Sequence, residues 1–368
     1  MRRSTRRIRR WPIAAAVSVA AAISVAACSS GSSSSSGSTN TSASASSVTW
    51  KLSSDLTTGV PFNDLYLGAV GKGISTATDG KVTVTEYPAN ELYSTQTLAM
   101  SALEHGQIQA VVTQALQVNS LIKAFDGTQI AYVAPNSVDY FKIVAPGTPW
   151  FKEAQAEAAK LGIEMVPISG ASPGEAGFGF TSSTPVTSLN ALHGMKVRVS
   201  GAGIVSDELT KLGAQTVNLS TTEAAAGLEN NTVSAALGSA AFSAGALKGV
   251  IHGFYDPGSF QYGPYFMFVN MNSWNSIGTA NQNAIVKSVD ATIGNYATNS
   301  VTAQQQAADT LLKSQGNWVT TASAAEVAQS AKELQPYALS IFKGEDQTSY
   351  QALVQTMQQL NYPVYPAS

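Results

Sequence analysis

Residues 194–201, "GMKVRVSG", hold the last of seven arginines in the chain. The other six, Arg2, Arg3, Arg6, Arg7, Arg9 and Arg10, crowd the first ten positions. A guanidinium presents parallel N–H donors in one plane, which suits a carboxylate better than the point charge of a lysine does. Side chains alternate across a strand, so Met195, Val197 and Val199 share one face of "MKVRV", and Lys196 and Arg198 share the other. Arg198 stands near the carboxyl end of that strand, just before "SGAG", and the ligand crevice of an open α/β sheet lies beyond that end. Arg198 is therefore a candidate carboxylate clamp. The same position also suits a bridge to a surface acid such as Asp207 or Glu208.

Other chemistries find weaker support. "GASPG", residues 170–174, fits G-x-S-x-G around Ser172, and Asp207 and His252 follow in hydrolase order. The oxyanion hole of that motif uses the backbone N–H of the residue after the nucleophile. Here that residue is Pro173, which has none. The segment that follows, "GEAGFGFTSS", reads as loop and strand where the motif requires a helix. The histidines His105, His193 and His252 lie far apart, each before a glycine, with no paired-ligand spacing. "GAVGKG", residues 68–73, lacks P-loop spacing and falls inside a helical pattern. Neither a metal, a nucleotide nor another cofactor is implied.

The elements that must position Arg198 read as α/β. "VTWKLSS", "KVTVTEY", "IQAVVT", "IEMVPIS" and "GFGFTSS" are strands, alternating with helices through "FNDLYLGAVGKGISTAT", "TQTLAMSALEHG" and "PWFKEAQAEAAKLG". A second set, "MKVRVS", "AQTVNL" and "VSAAL", has helices between its strands. Glycine- and proline-rich crossovers near 170–177 and 257–264 separate the blocks and suit hinges or plain surface loops. Residues 281–315 read as one long helix without proline, and two further helical segments follow.

Ahead of the fold, a basic stretch and the apolar run "PIAAAVSVAAAISVAA" end just before Cys28, the only cysteine. Residues 1–27 read as an export signal, and "VAAC" as a lipobox whose cysteine is lipidated. Residues 28–47 form a Ser/Gly-rich tether without charge or bulky side chains, too polar to bury surface. Removal of the signal lowers lysine plus arginine from 21 to 15 against 23 acidic residues, a net charge of −8. That balance argues against nucleic acid and against an anionic membrane surface.

Two blocks carry a family resemblance. "ATDGKVTVTEYPANELYSTQTLAMSALEHGQIQAV" resembles the N-terminal signature of the dicarboxylate-binding type of solute-binding protein from tripartite ATP-independent periplasmic (TRAP) transporters. "STPVTSLNALHGMKVRVSGAGIVSDELTKLGAQTVNLSTTEAAAGLENNTVSAAL" resembles that family's second block, and "MFVNMNSW" its strand-to-helix step. The resemblance, over residues 48–368, implies a two-lobed periplasmic-binding-protein fold with hinge crossovers and a long helix spanning both lobes. The lobes implied are 48–175 with 264–303, and 176–263 with 304–368.

By the same resemblance Arg198 is the arginine that pairs with a ligand carboxylate, and Asp55, Thr95 and Gln114 fall near ligand-contacting positions. Helix caps and turns explain those three as well. The family's frequent second arginine falls at Phe178, an asparagine at Gly238 and an aromatic residue at Ala225. Phe178, Phe180, Tyr262 and Tyr265 flank the crossovers, as cleft walls or as core. These departures imply a less polar pocket, suited to an aromatic or hydrophobic monocarboxylate. The expected protein is an extracytoplasmic, lipid-anchored solute receptor without catalysis, partnered with a TRAP permease or, failing that, an ABC importer.

Overall fold

Strict alternation in "KVTVTEY" and an unbroken apolar run in "AVV" produce strands of two kinds, a sheet edge and a sheet centre. The computed structural model describes residues 47–365 apart from Ala202, and there both kinds are found. Strands β1 (Val48–Ser54), β2 (Val82–Tyr87), β3 (Ala110–Gln114) and β4 (Ile163–Met165) belong to one sheet. Helices α1 (Pro61–Ala77), α2 (Gln96–Glu104), α3 (Ser137–Ile143) and α4 (Pro149–Lys160) lie between and beyond them. Pro61 opens α1 where its missing N–H costs nothing, and Gly106 and Gly162 end their helices at positive φ.

The chain then crosses to a second sheet. It holds β5 (Glu175–Phe180), β6 (Lys196–Val199), β7 (Gln215–Asn218), β8 (Ala235–Ser239), β9 (Gly253–Asp256) and the short β10 (Gln261–Tyr262). Helices α5 (Ile204–Lys211), α6 (Ala224–Glu229) and α7 (Ala240–Gly245) connect these strands. The chain returns to the first sheet through β11 (Tyr265–Asn270), followed by α8 (Met271–Ser276). The first sheet runs β2-β1-β3-β11-β4. The second runs β12-β9-β5-β8-β6-β7, with β12 at Trp318–Thr321 and β10 paired to β5. The two crossing segments touch through a bridge between Ala171 and Tyr265.

The fold is the two-lobed α/β architecture implied by the sequence, with one sheet in each lobe. In the first core Trp50, Val111, Phe266 and Phe268 pack against α1 and α4. The second sheet has apolar side chains on both faces: Phe178, Val197 and Val199 on one, Ala236 and Phe254 on the other.

Residues 278–314 are helical throughout but not regular. Helix α9 (Gly278–Asn295) passes through a π turn at Tyr296–Ser300 into α10 (Val301–Ser314). Ile285, Val289 and Ile293 join the first core, and Ala308 and Leu312 pack with Ala236 and Phe254 on the second sheet, so this helix spans both lobes with its irregular turn at the crossing. Helix α11 (Ala324–Glu345) makes a second crossing. Leu334 lies in the second core, Ala338 and Phe342 in the first, and Pro336 falls between them. Helix α12 (Gln347–Gln359) sets Leu353 and Met357 into the first core, although the lobes implied by the resemblance grouped 304–368 with the second lobe. The reason is packing: Trp150 N–H of α4 donates to Thr356 Oγ1 at 3.0 Å and ties the C-terminal helix to the first lobe.

Candidate functional site

Arg198 is 3% exposed, on the face of β6 opposite Val197 and Val199. Its Nε donates to the Leu219 carbonyl at 2.9 Å and its Nη1 to the Leu237 carbonyl at 3.1 Å. Both acceptors are held by local structure. Leu219 follows β7 at a turn in which Ser220 N–H and O–H donate to Glu223, at 2.9 and 2.7 Å. Leu237 lies inside β8, beside β6. The Phe242 ring lies over the guanidinium, 5.2 Å from Cζ to the ring centroid. Nη2 is buried and has no hydrogen-bond partner. Burial pushes the Arg198 pKa down to about 10, so the group stays charged at neutral pH. A buried cation with one N–H face unspent is destabilising until an anion meets it. The bridge to Asp207 or Glu208 is not formed. Glu208 instead accepts from Ala131 N–H at 2.9 Å, and burial raises its pKa well above normal.

Arg198 opens onto a cavity of about 430 Å3 lined from both lobes. Thr57, Asn63, Gln114, Leu116 and Tyr265 come from the first lobe, and Leu237, Ser239, Ala241, Phe242 and Ala246 from the second. Ser172, Pro173 and Gly174 of the first crossing and Gly263 of the return complete it. Arg198 is the only basic residue in the lining, and no acid is part of it. Gly263 lies so close to Gln114 that a Cβ there would displace the Gln114 amide from its present position in the lining. Among the described residues no group of three His, Cys, Asp or Glu side chains could hold a metal ion. Ser172 spends its hydroxyl proton on the Gly174 carbonyl at 2.8 Å.

On the first-lobe side Asp55 follows the end of β1 and is 8% exposed. Its Oδ2 accepts from Gln117 Nε2 at 2.6 Å and from the Tyr265 hydroxyl at 3.3 Å, while Oδ1 is buried without a partner. Burial pushes its pKa up to about 6, against those hydrogen bonds, which favour the charged form.

The expected site residues separate as follows. Arg198, Gln114 and Gly238 line the cavity together. Asp55 lies one residue behind the surface and reaches it through Tyr265. Thr95 does not reach it: exposed, it caps α2 by accepting from Leu98 N–H at 3.3 Å. Phe178 does not reach it either. It is fully buried in the second core, with Phe260 at 5.5 Å and Phe180 at 6.4 Å between ring centroids. The β5 register explains this, since Phe178, opposite Leu237 and Tyr255, points to the core face that also holds Phe180. Phe180 and Tyr262 are likewise core residues, and Tyr265 alone of the four flanking aromatics walls the cavity. The apolar lining is therefore built by the side chains of Leu116 and Phe242, with Leu237 contributing only its backbone, and no sequence signal marked them. Ser239 had one, since it caps α7 through Phe242 N–H in "GSAAF". Cys28 and the tether lie outside the described residues.

Residues 67–345 match the family described as bacterial extracellular solute-binding protein, family 7. A curated solute-binding protein of Roseobacter denitrificans is 23% identical over 228 residues, covering 61% of this chain and 68% of the relative. Among solved structures, a TRAP periplasmic solute-binding protein of Desulfovibrio salexigens with bound orotic acid is 17% identical, with a TM-score of 0.75. That match covers 85% of this chain and 98% of the other. An extracytoplasmic solute receptor of Bordetella pertussis that binds pyroglutamic acid is 15% identical, also with a TM-score of 0.75, over 85% and 100% of the two chains.

Proposed function

The chain belongs to the bacterial extracellular solute-binding proteins, family 7, and on that premise we propose that it captures an aromatic or otherwise hydrophobic monocarboxylate between its lobes for delivery to a TRAP permease. The family is one of receptors, and no catalysis is assigned to the cleft. The observation that carries the proposal is the unspent Nη2 of a buried Arg198 facing a cavity with no second base. The two carbonyls orient the guanidinium before the ligand arrives, so its charge is spent on the carboxylate and little is lost to ordering. One cation balances one carboxylate. The carbon skeleton then lies against Leu116 and Phe242, where each buried CH2 contributes about 0.8 kcal/mol. Orotic and pyroglutamic acid, the ligands of the two structural relatives, each carry one carboxylate on a ring.

The ligand drives closure only through its higher affinity for the closed lobes. Bending falls on the crossings at 166–174 and 263–264, and on the two helices that span the lobes. Cys28 as the lipid-bearing N-terminus and residues 29–47 as its tether belong to the same proposal. Metabolic labelling with palmitate checks that part, with label expected on the wild type and absent from Cys28→Ala.

Mass spectrometry of acids co-purified with the protein tests the clamp. The wild type is expected to carry a carboxylic acid that Arg198→Ala lacks. Equal occupancy in both would overturn the assignment.

A further inference from the structure

Resting on the cleft reading above, the geometry points to Asp55 as a positioning residue that sets which second group a ligand carries. It fixes the Tyr265 hydroxyl proton, leaves the tyrosine oxygen as an acceptor, and so selects acids with one carboxylate and a separate N–H or O–H donor while rejecting dicarboxylates.

Tyr265 begins β11 on the first-lobe side of the cavity, across from Arg198 on β6. Its ring is held among Phe62 and Tyr66, at 5.8 and 6.2 Å between centroids. Its backbone is fixed twice, by Tyr66 O–H donating to its carbonyl at 2.9 Å and by its own N–H donating to Ala171 at 2.8 Å. The hydroxyl is therefore aimed by the fold. Asp55 carries a charge at neutral pH, and an ionised carboxylate can only accept. The hydrogen bond between Tyr265 and Asp55 thus runs in one direction, with the tyrosine proton spent on Oδ2. Gln117, whose Nε2 donates to the same oxygen, fixes the carboxylate from the other side. Burial and the Asp55 charge outweigh the opposing Arg198 charge and hold the Tyr265 proton in place.

What remains at this end of the cavity is an oxygen with lone pairs and, one residue behind it, an uncompensated negative charge. Oδ1 of that carboxylate is buried and unpartnered, and the only basic residue of the lining is Arg198 in the other lobe. A ligand donor can bond to the Tyr265 oxygen. A second carboxylate would meet like charge and an acceptor in a poorly solvated space, which discriminates by repulsion as well as by missing bonds.

The test uses the full chain purified in detergent and two sets of acids on matched skeletons, titrated calorimetrically at pH 7.5. One set is benzoate, 3- and 4-hydroxybenzoate, isophthalate and terephthalate. The other is butyrate, 3-hydroxybutyrate and glutarate. In at least one set the hydroxy acid is expected to bind about ten-fold tighter than the parent acid, and the diacid about ten-fold weaker. Asp55→Asn should shrink both ratios toward one. Tyr265→Phe, which keeps the ring, should lose the hydroxy preference, and Asp55→Glu should retain it in part. Diacids that bind the wild type within three-fold of the parent acid would overturn the inference, as would wild-type ratios in Asp55→Asn. Failure of the underlying cleft reading shows separately, as wild-type affinities in Arg198→Ala or as no acid bound by the wild type, and it removes this inference too.

Discussion

A single methyl group at position 238 tests how the clamp is held. Gly238 lies on β8, and a Cβ there would collide with Phe242 Cδ1, in the ring that covers Arg198. Gly238→Ala must push that ring off the guanidinium or strain the strand. Overpacking of this kind costs about 1–3 kcal/mol. The expected outcome is a lower melting temperature, together with roughly ten-fold weaker carboxylate binding by calorimetry. Arg198→Lys separates charge from shape. An ammonium keeps the charge but cannot hold the Leu219 and Leu237 carbonyls and still offer a planar fork. Binding is expected to fall about 100-fold, with stability changed far less than binding. A lysine variant that bound as tightly as the wild type would reduce Arg198 to a point charge.

Between elements, Glu175 does the joining at the hinge. At the first residue of β5 its Oε1 accepts from Ser137 N–H at 3.2 Å, Ser137 O–H at 3.1 Å and Tyr262 O–H at 3.4 Å. Its Oε2 accepts from Ser259 N–H at 2.8 Å. One side chain thereby ties α3, the crossing strand and the turn before β10. Glu175→Ala leaves two backbone N–H groups without their acceptor and is expected to cost about 2–4 kcal/mol, read as a drop in denaturation midpoint. Glu175→Gln, which keeps one acceptor oxygen, should fall between the two. Equal midpoints for wild type and alanine variant would mean that the hinge is set by packing alone. Gly177 two residues on has a similarly strict role, since a Cβ there would lie 2.5 Å from the Tyr255 carbonyl oxygen.

For the molecule as a whole, buried acids set the pH dependence. Burial raises the pKa of Asp55 and of Asp256 from 3.8 to about 6. An acid whose folded pKa is raised binds its proton more tightly in the folded state. Its contribution is complete below about 3.8 and is lost as pH rises through about 6. For Asp55 two pKa units correspond to about 3 kcal/mol over the whole window, part of it between pH 7.5 and 5. The melting temperature is therefore expected to rise by a few degrees from pH 7.5 to pH 5, with a shallower rise in Asp55→Asn. A flat profile across that range would count against the raised pKa of Asp55 in the folded protein. Ligand adds its own term: at 100 times its Kd a bound acid stabilises by about 2.7 kcal/mol.

The order of strands and helices, the two crossings and the singular Arg198 were readable from periodicity, glycine and proline placement, and counting. Those features depend on neighbours within a few residues, which a one-dimensional pattern records. The alternation in "MKVRV" assigned Arg198 to the right face of β6 for the same reason. What lines the cavity was not readable. Phe178 entered the core and Phe242 the cavity wall because the register between β5 and β8 and the seat of α7 decide which face each side chain meets. The Asp55–Tyr265 pair joins residues 210 apart in the chain, and the π turn and Pro336 mark crossings that exist only once two lobes have formed. Local pattern determines which elements form. Only tertiary packing brings distant side chains within hydrogen-bonding range, because that range is about 3 Å and chain separation does not encode it.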